Sequence, residues 1–349
     1  MLMIRFLISV ITLVSLVTGL WLTPFAQAQP LKACATVPDL GSLVQEIGGE
    51  QTTLTVFAKG TENPHFVVPK PSFIKALSTC DVYIQIGLDL EIGWAPPLLQ
   101  NARNGAILPG SPGYIDASTA IAPLEVPNVP VDRSMGDIHP SGNPHYLLDP
   151  INGLRVALLL RDRLSALRPA NAPYFAERYA DFRRRLGMAL VGQALADAYD
   201  FEKLAVLARH GRLDNFLKSQ GQEALLGGWL GSLRPHAGSK LVGDHNAWVY
   251  FAQLFGFDMV AYLEPLPGIL PTTKHMGVVI ELMKTNSVKA VLTATYYDPR
   301  YVQFVSENSG AAIVPMAEQG DSRPGTAHYL DMLDYNVKQL AAALAGITN

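Results

Sequence analysis

"LKACATVPDLGSLVQEIGGEQTTLTVFAKG", residues 31–60, decides the fold. A short apolar run ends in a turn at Pro38, and a helix then runs to the Gly48-Gly49 pair. "TTLTVFAKG" follows with the alternating pattern of a strand. Next, "PSFIKALSTCDVYIQIG" repeats the order, with Pro71-Ser72 at a helix start and residues 81–86 as a strand. Strands alternating with helices build right-handed βαβ units around a parallel sheet. Cys34 and Cys80 fall at the starts of two such strands. Neighbouring strands lie about 5 Å apart, so a disulfide is allowed if the two pair, and two buried free thiols are the alternative.

Outward from this block the pattern changes and then returns. Residues 107–143 are rich in Pro, Gly and Asp and read as surface loops without a long regular element. "INGLRVALLLRDRLSAL" and "PYFAERYADFRRRLGMALVGQAL" carry apolar residues three and four apart, as amphipathic helices do. After a further helical stretch, "SKLVGDH", "MVAYLE", "KAVLTAT" and "AAIVPM" alternate as strands with four helical patterns. The ordering predicts an α/β protein: two α/β lobes with parallel sheets joined by a long helix. We set its bounds as a signal peptide over 1–28, a first lobe over 29–172, a linking helix over 173–195 and a second lobe over 196–349.

The leader "MLMIRFLISVITLVSLVTGLWLTPFAQAQP" has a basic start at Arg5, an apolar run and the small-x-small step Ala26-Gln27-Ala28. That is the anatomy of an export signal cleaved after Ala28, with an uncleaved membrane anchor as the alternative, and it predicts a chain in the periplasm or an equivalent extracytoplasmic space. Lys32 stands where a lipoprotein signal wants a small residue, which disfavours lipidation at Cys34. With 27 basic and 30 acidic side chains and no block of like charge, the chain lacks the footprint of a nucleic-acid or membrane-surface binder. A small ligand is the expected partner.

Three histidines stand where strand or loop meets helix or turn: His65 in "ENPHFVVP", His145 in "GNPHYLLDP" and His245 in "GDHNAWVYF". Ligands of open α/β sheets collect outside the carboxyl ends of the strands, where distant parts of a chain converge. Neutral imidazole is the commonest protein ligand for Zn2+ and suits other late first-row metals. One such histidine alone is more often a hydrogen-bonded turn residue, and periodicity does not show that the three meet. His139, six residues before His145, is placed to capture metal or cover the site, with a solvated loop residue as the alternative. His210, His236, His275 and His328 read as ordinary helix and loop residues.

These stretches resemble a known family. Residues 35–94 look like the amino-terminal lobe of the metal-binding solute-binding proteins of ABC transporters, the periplasmic receptors of zinc and manganese importers. "GNPHYLLDP" is similar to that family's second ligand motif, and "GDHNAWVYFAQLFGF" with "EPLPGILP" to its third and the turn after it. The resemblance implies a rigid linking helix, one metal ion in the cleft between the lobes and delivery to a membrane permease by a monomer. Carried over by position, the ligands are His65, His145 and His245, and histidine at the third position favours Zn2+ over Mn2+. The family's aspartate near the end of the last strand is missing, because Val314 and Pro315 stand there. Asp298, in "TATYYDPR", is the substitute candidate, with a helix cap before Pro299 or a water ligand as alternatives. Glu62 and Asp244 are candidates to orient His65 and His245. Residues 196–239 exceed what the family needs before its next strand and read as a helical insertion, with Gly227-Gly228-Trp229 as a core turn.

Two other functions are compatible with these residues. A secreted zinc hydrolase could use three histidines and an open position, although no HExxH or nucleophile-elbow spacing is present. A receptor for an organic solute would line its cleft with Trp94, Trp248, Tyr296 and Tyr297.

Overall fold

The computed structural model describes residues 29–128 and 139–346. The export signal expected over 1–28 lies outside the described residues. Four parallel strands, β1 (Leu31–Ala35), β2 (Thr52–Val56), β3 (Val82–Gln85) and β4 (Tyr114–Asp116), form a sheet in the order β2-β1-β3-β4. A second parallel sheet, from β5 (Lys240–Gly243), β6 (Asp258–Tyr262), β7 (Ala290–Thr293) and β8 (Ala312–Pro315), has the order β6-β5-β7-β8. Both sheets share one plan, in which the chain steps outward from its first strand and then crosses to the other side of it. Each therefore has a switch point between its first and third strands, where α/β folds place their ligands.

The helices of the first sheet are α1 (Pro38–Gly48), α2 (Pro71–Leu77) and α3 (Ala95–Ala102), and all three carry proline in the first turn. A proline there removes only an amide that has no helical partner. Two long helices follow, α4 (Pro150–Leu167), capped by Asp149, whose carboxylate accepts the Ile151 amide at 2.8 Å, and α5 (Ala172–Val191). The linking helix expected over 173–195 stops earlier, because Gly192 takes φ +82°. The insertion is helical as expected: α6 (Gln193–Ala198), α7 (Phe201–Arg209), α8 (Leu213–Gln220) and α9 (Gly228–Leu233). Gly192 and Gly228 pack backbone to backbone, and a Cβ on Gly228 would fall on the backbone of residues 189–192. That close approach explains the glycines of the core turn before the buried Trp229.

The remaining helices are α10 (Val249–Phe255), α11 (Thr273–Thr285), α12 (Pro299–Ser309) and α13 (Tyr329–Leu344). Although there are two sheets, most of the core is one continuous hydrophobic cluster running from β1 and α1 through α4 and α5 to α10 and α13. A smaller cluster lies among β5, β7, α11 and α12. The last helix ties the halves together, as the Tyr329 amide donates to Ser42 Oγ at 2.8 Å and its hydroxyl to the Leu147 carbonyl at 2.6 Å.

Cys34 lies in central strand β1 and Cys80 just before β3; both are buried free thiols. The neighbouring Cys80 thiol, with burial, pushes the Cys34 thiol well up. Cleavage at Cys34, as lipidation requires, would remove Leu31 to Ala33 from the strand.

Gly153 in α4 faces Tyr329, and a Cβ there would overlap the phenol ring. Gly153→Ala is expected to lower stability by about 1–3 kcal/mol through overpacking. Gly277→Ala, in α11 with open space around it, should raise stability by up to about 1 kcal/mol. Urea unfolding midpoints of the two variants check the contrast.

Candidate metal centre

All three sequence-predicted histidines are presented by one local device. Asn63 Oδ1 accepts the amide of His65 at 3.0 Å, Asn143 Oδ1 that of His145 at 3.0 Å, and Asp244 Oδ1 that of His245 at 2.8 Å. Asn and Asp side chains bond readily to backbone a residue or two ahead, and here they fix the turn from which each imidazole projects. In the first two, an intervening proline stiffens the turn, and Trp94 Nε1 further pins the first by donating to the Pro64 carbonyl at 3.0 Å.

The three rings converge. Nε2 of His145 lies 3.4 Å from Nε2 of His65 and 3.2 Å from Nε2 of His245, and ligand atoms of all three lie within 4.8 Å of one another. Behind them stand two buried carboxylates. Glu264 Oε2 is 2.7 Å from His245 Nδ1 and also accepts the Gly268 amide at 2.9 Å. Glu318 Oε1 is 3.0 Å from His145 Nδ1, while its other oxygen accepts the Tyr296 hydroxyl. A carboxylate can only accept, so Nδ1 of His245 carries the proton and its Nε2 faces the centre, while Glu318 stands against His145 Nδ1 as a charge partner.

Burial, reinforced by the charges of His145 and His245, holds the His65 pKa well below the ordinary value. Burial also lowers that of His145 despite Glu318. At His245 burial opposes the charge too, but Glu264, Glu318 and Asp244 outweigh it and raise the pKa. Glu318 is kept below the usual carboxylate range against its own burial, chiefly by His145.

Asp298 does not join this cluster. It caps α12, accepting the Arg300 amide at 3.0 Å and pairing with the Arg300 guanidinium, which holds its carboxyl below the usual range. The capping alternative is what the structure shows, since an Asp-Pro step at a helix start satisfies an orphan amide. Glu62 is a turn residue accepting the Lys59 amide at 3.2 Å rather than a partner of the His65 ring. Asp244 shapes the His245 loop through backbone amides, its second oxygen accepting Ala294 N at 2.7 Å, and leaves the ring to Glu264. Glu264 and Glu318, missed as ring partners, lie within "EPLPGILP" and "AAIVPMAEQG"; only proximity in the fold reveals their role.

Trp94 and Trp248 are core residues, which removes them from any solute-lined cleft. Tyr297 stacks on the His245 ring at 5.7 Å between centroids. His275 bonds the Tyr262 carbonyl at 3.0 Å, away from the cluster. His139 does approach it, with its ring 5.1 Å from that of His65.

Known proteins share this arrangement of sequence and fold. The family described as ZnuA, zinc-uptake complex component A, periplasmic, matches residues 34–221 and 230–343. The manganese-binding lipoprotein MntA of Halalkalibacterium halodurans is 26% identical over 344 residues, covering 97% of each chain. The manganese ABC transporter substrate-binding lipoprotein PsaA of Streptococcus mitis is 23% identical over 347 residues, 97% of this chain and 96% of the other. Among solved structures, a crystal structure of ZnuA superposes with a TM-score of 0.65 at 20% identity, covering 90% of this chain and all of that one. The family lends the hydrolase alternative no support. The chain belongs to the ZnuA family and is a metal-binding substrate-binding protein of an ABC transporter.

Proposed function

We propose that the chain captures one Zn2+ through Nε2 of His65, His145 and His245 and hands it, as a monomer outside the cytoplasm, to a membrane permease. The observation that carries this is the spacing of the three nitrogens. Ligands about 2.0–2.1 Å from zinc at the corners of a tetrahedron stand about 3.3–3.4 Å apart, and the two spacings here are 3.4 and 3.2 Å. Ring nitrogens at that spacing either share a proton or surround a cation.

Relatives named for manganese make the choice of metal a real question. Manganese prefers oxygen donors, whereas imidazole suits zinc. The carboxylates nearest the centre, Glu264 and Glu318, face Nδ1 atoms, so the inner donors are nitrogen. In this reading the first sheet with residues 29–172 and the second with 196–349 are the lobes flanking the ion, and α5 links them. Cleavage of the leader after Ala28 leaves β1 whole.

His65→Ala, His145→Ala and His245→Ala should each weaken zinc binding by more than the roughly 10–100-fold loss typical of an outer-shell partner. Metal content after native purification and titration against a competing chelator check this; three variants binding as tightly as the parent would end the proposal.

Acid should also release the ion. The raised pKa of His245 means that its Nε2 takes a proton already as pH falls toward the ordinary histidine range from above, at the place the metal needs. Below that pKa affinity should drop roughly tenfold per pH unit for the one proton displaced, and equal affinities at pH 7 and pH 5 would contradict it. Glu264→Gln removes the charge that raises this pKa and frees the tautomer. It should weaken binding at pH 7 by about 10–100-fold and move the acid midpoint lower, which the same titrations report.

A further inference from the structure

We infer that His139 is a fourth, inward-swinging nitrogen ligand of the ion, making the loaded site one of four imidazoles. The inference rests on the three-histidine reading above and adds the donor which that reading leaves open. His139 Nε2 is buried and has no hydrogen-bond partner among the described residues. A buried ring nitrogen without a partner is a state that polar atoms rarely keep unless something absent satisfies it.

The position of the ring follows from backbone constraints on both sides. Pro140 restricts His139 to extended conformations, and the His139 carbonyl accepts the Gly142 amide at 3.1 Å, closing a tight turn. Gly142, at φ +109°, packs where a Cβ would meet Pro123 and the Leu124 carbonyl, and the Asn143 amide donates to that carbonyl at 2.9 Å. Opposite, Gly87, Leu88 and Asp89 all take left-handed φ of +79°, +49° and +65°. Two of the three are not glycine, so this loop is strained, and strain persists only where the surroundings over-determine it. Glu91 does so, accepting the Ile86 amide at 2.7 Å, the Gly87 amide at 3.1 Å and the Thr36 hydroxyl at 2.7 Å. The backbone of Leu88, in this strained loop, lies beside the His139 ring.

His139 lies beside the cluster rather than in it. Its ring stands 5.1 Å from that of His65, and it lines a cavity of about 170 Å3 together with His145 and His245. It is not one of the three residues whose ligand atoms lie within 4.8 Å of each other, so coordination requires the ring to move inward. Both oxygens of Asp244 accept backbone amides, and Glu318 Oε2 accepts the Tyr296 hydroxyl, while its Oε1 has no hydrogen-bond partner and lies 3.0 Å from His145 Nδ1 as the competing donor. Glu125, also on the cavity wall, is held through Oε2 by the side-chain amides of Asn143 and Asn246 at 3.0 and 2.8 Å. A fourth imidazole would further favour zinc over manganese, since it adds nitrogen and no oxygen.

X-ray absorption of the zinc-loaded full chain counts the imidazoles directly. The native protein should show four, and His139→Ala and His139→Gln three plus one oxygen, each still holding one zinc per chain. Affinity in both variants should fall on the order of tenfold or more, and preference for zinc over manganese should narrow. Three imidazoles with a water or carboxylate oxygen in the native protein, the latter pointing to Glu318 or Glu125, overturns the inference, as does a four-imidazole spectrum unchanged in both variants. A native chain that takes up no zinc overturns the three-histidine reading itself, so the two failures are told apart.

Discussion

Three imidazole rings converging on the same small volume are the constraint around which this molecule is built. The surrounding structure must hold them there. Asn63, Asn143 and Asp244 fix the turns, while Glu264 fixes the His245 ring by accepting its Nδ1–H and Glu318 stands against the His145 ring. At the switch point of each sheet a buried carboxylate reinforces the loops: Glu91 joins Thr36 to Ile86 and Gly87 in the first, and Asp244 joins His245 to Ala294 in the second. Both are raised to about 7, mainly by burial. Each ties the segment after the first strand of its sheet to the segment after the third, though Glu91 comes from the latter and Asp244 from the former.

The halves are less separate than two lobes on a linker. The Gln319 side chain donates to the Glu62 carbonyl at 2.9 Å, the Gly320 amide to Asp39 Oδ1 at 2.6 Å, and the Tyr250 hydroxyl to the Asn143 carbonyl at 2.8 Å. Behind these bonds lies the continuous apolar cluster that α5 and α13 share with both halves. Rotating one sheet far from the other would expose that cluster to water at about 25 cal/mol per Å2. Moving the loops that carry the histidines breaks hydrogen bonds worth about 1 kcal/mol each. Entry and exit of an ion are therefore cheaper through loop movement than through wide opening.

The sequence displayed the βαβ order because buried parallel strands and amphipathic helices have distinct periods. It concealed β4, only three residues long within a Pro- and Gly-rich segment, and α3, whose first turn contains Pro96 and Pro97. The three converging histidines were legible as residues at turns, and more sharply than their spacing alone suggests: Asn-Pro-His occurs twice and Asp-His once, each placing an Asx acceptor ahead of the imidazole. Glu264 and Glu318 gave no comparable sign, since a carboxylate that bonds the far nitrogen of a distant ring leaves no local pattern. Asp298 misled for the converse reason, because an aspartate before proline at a sheet edge looks the same whether it caps a helix or binds an ion.

The carboxylates bear on the charge of the cluster. A dication in a buried site needs compensating negative charge, and direct carboxylate ligands supply it at the cost of making the donors oxygen. Here Glu264 and Glu318 stand behind the His245 and His145 rings, outside the three converging nitrogens. The same two charges, without a metal, attract the nearest proton, and the raised pKa of His245 is the result. One electrostatic arrangement thus sets the compensating charge, the nitrogen character of the donors and the competition between proton and metal.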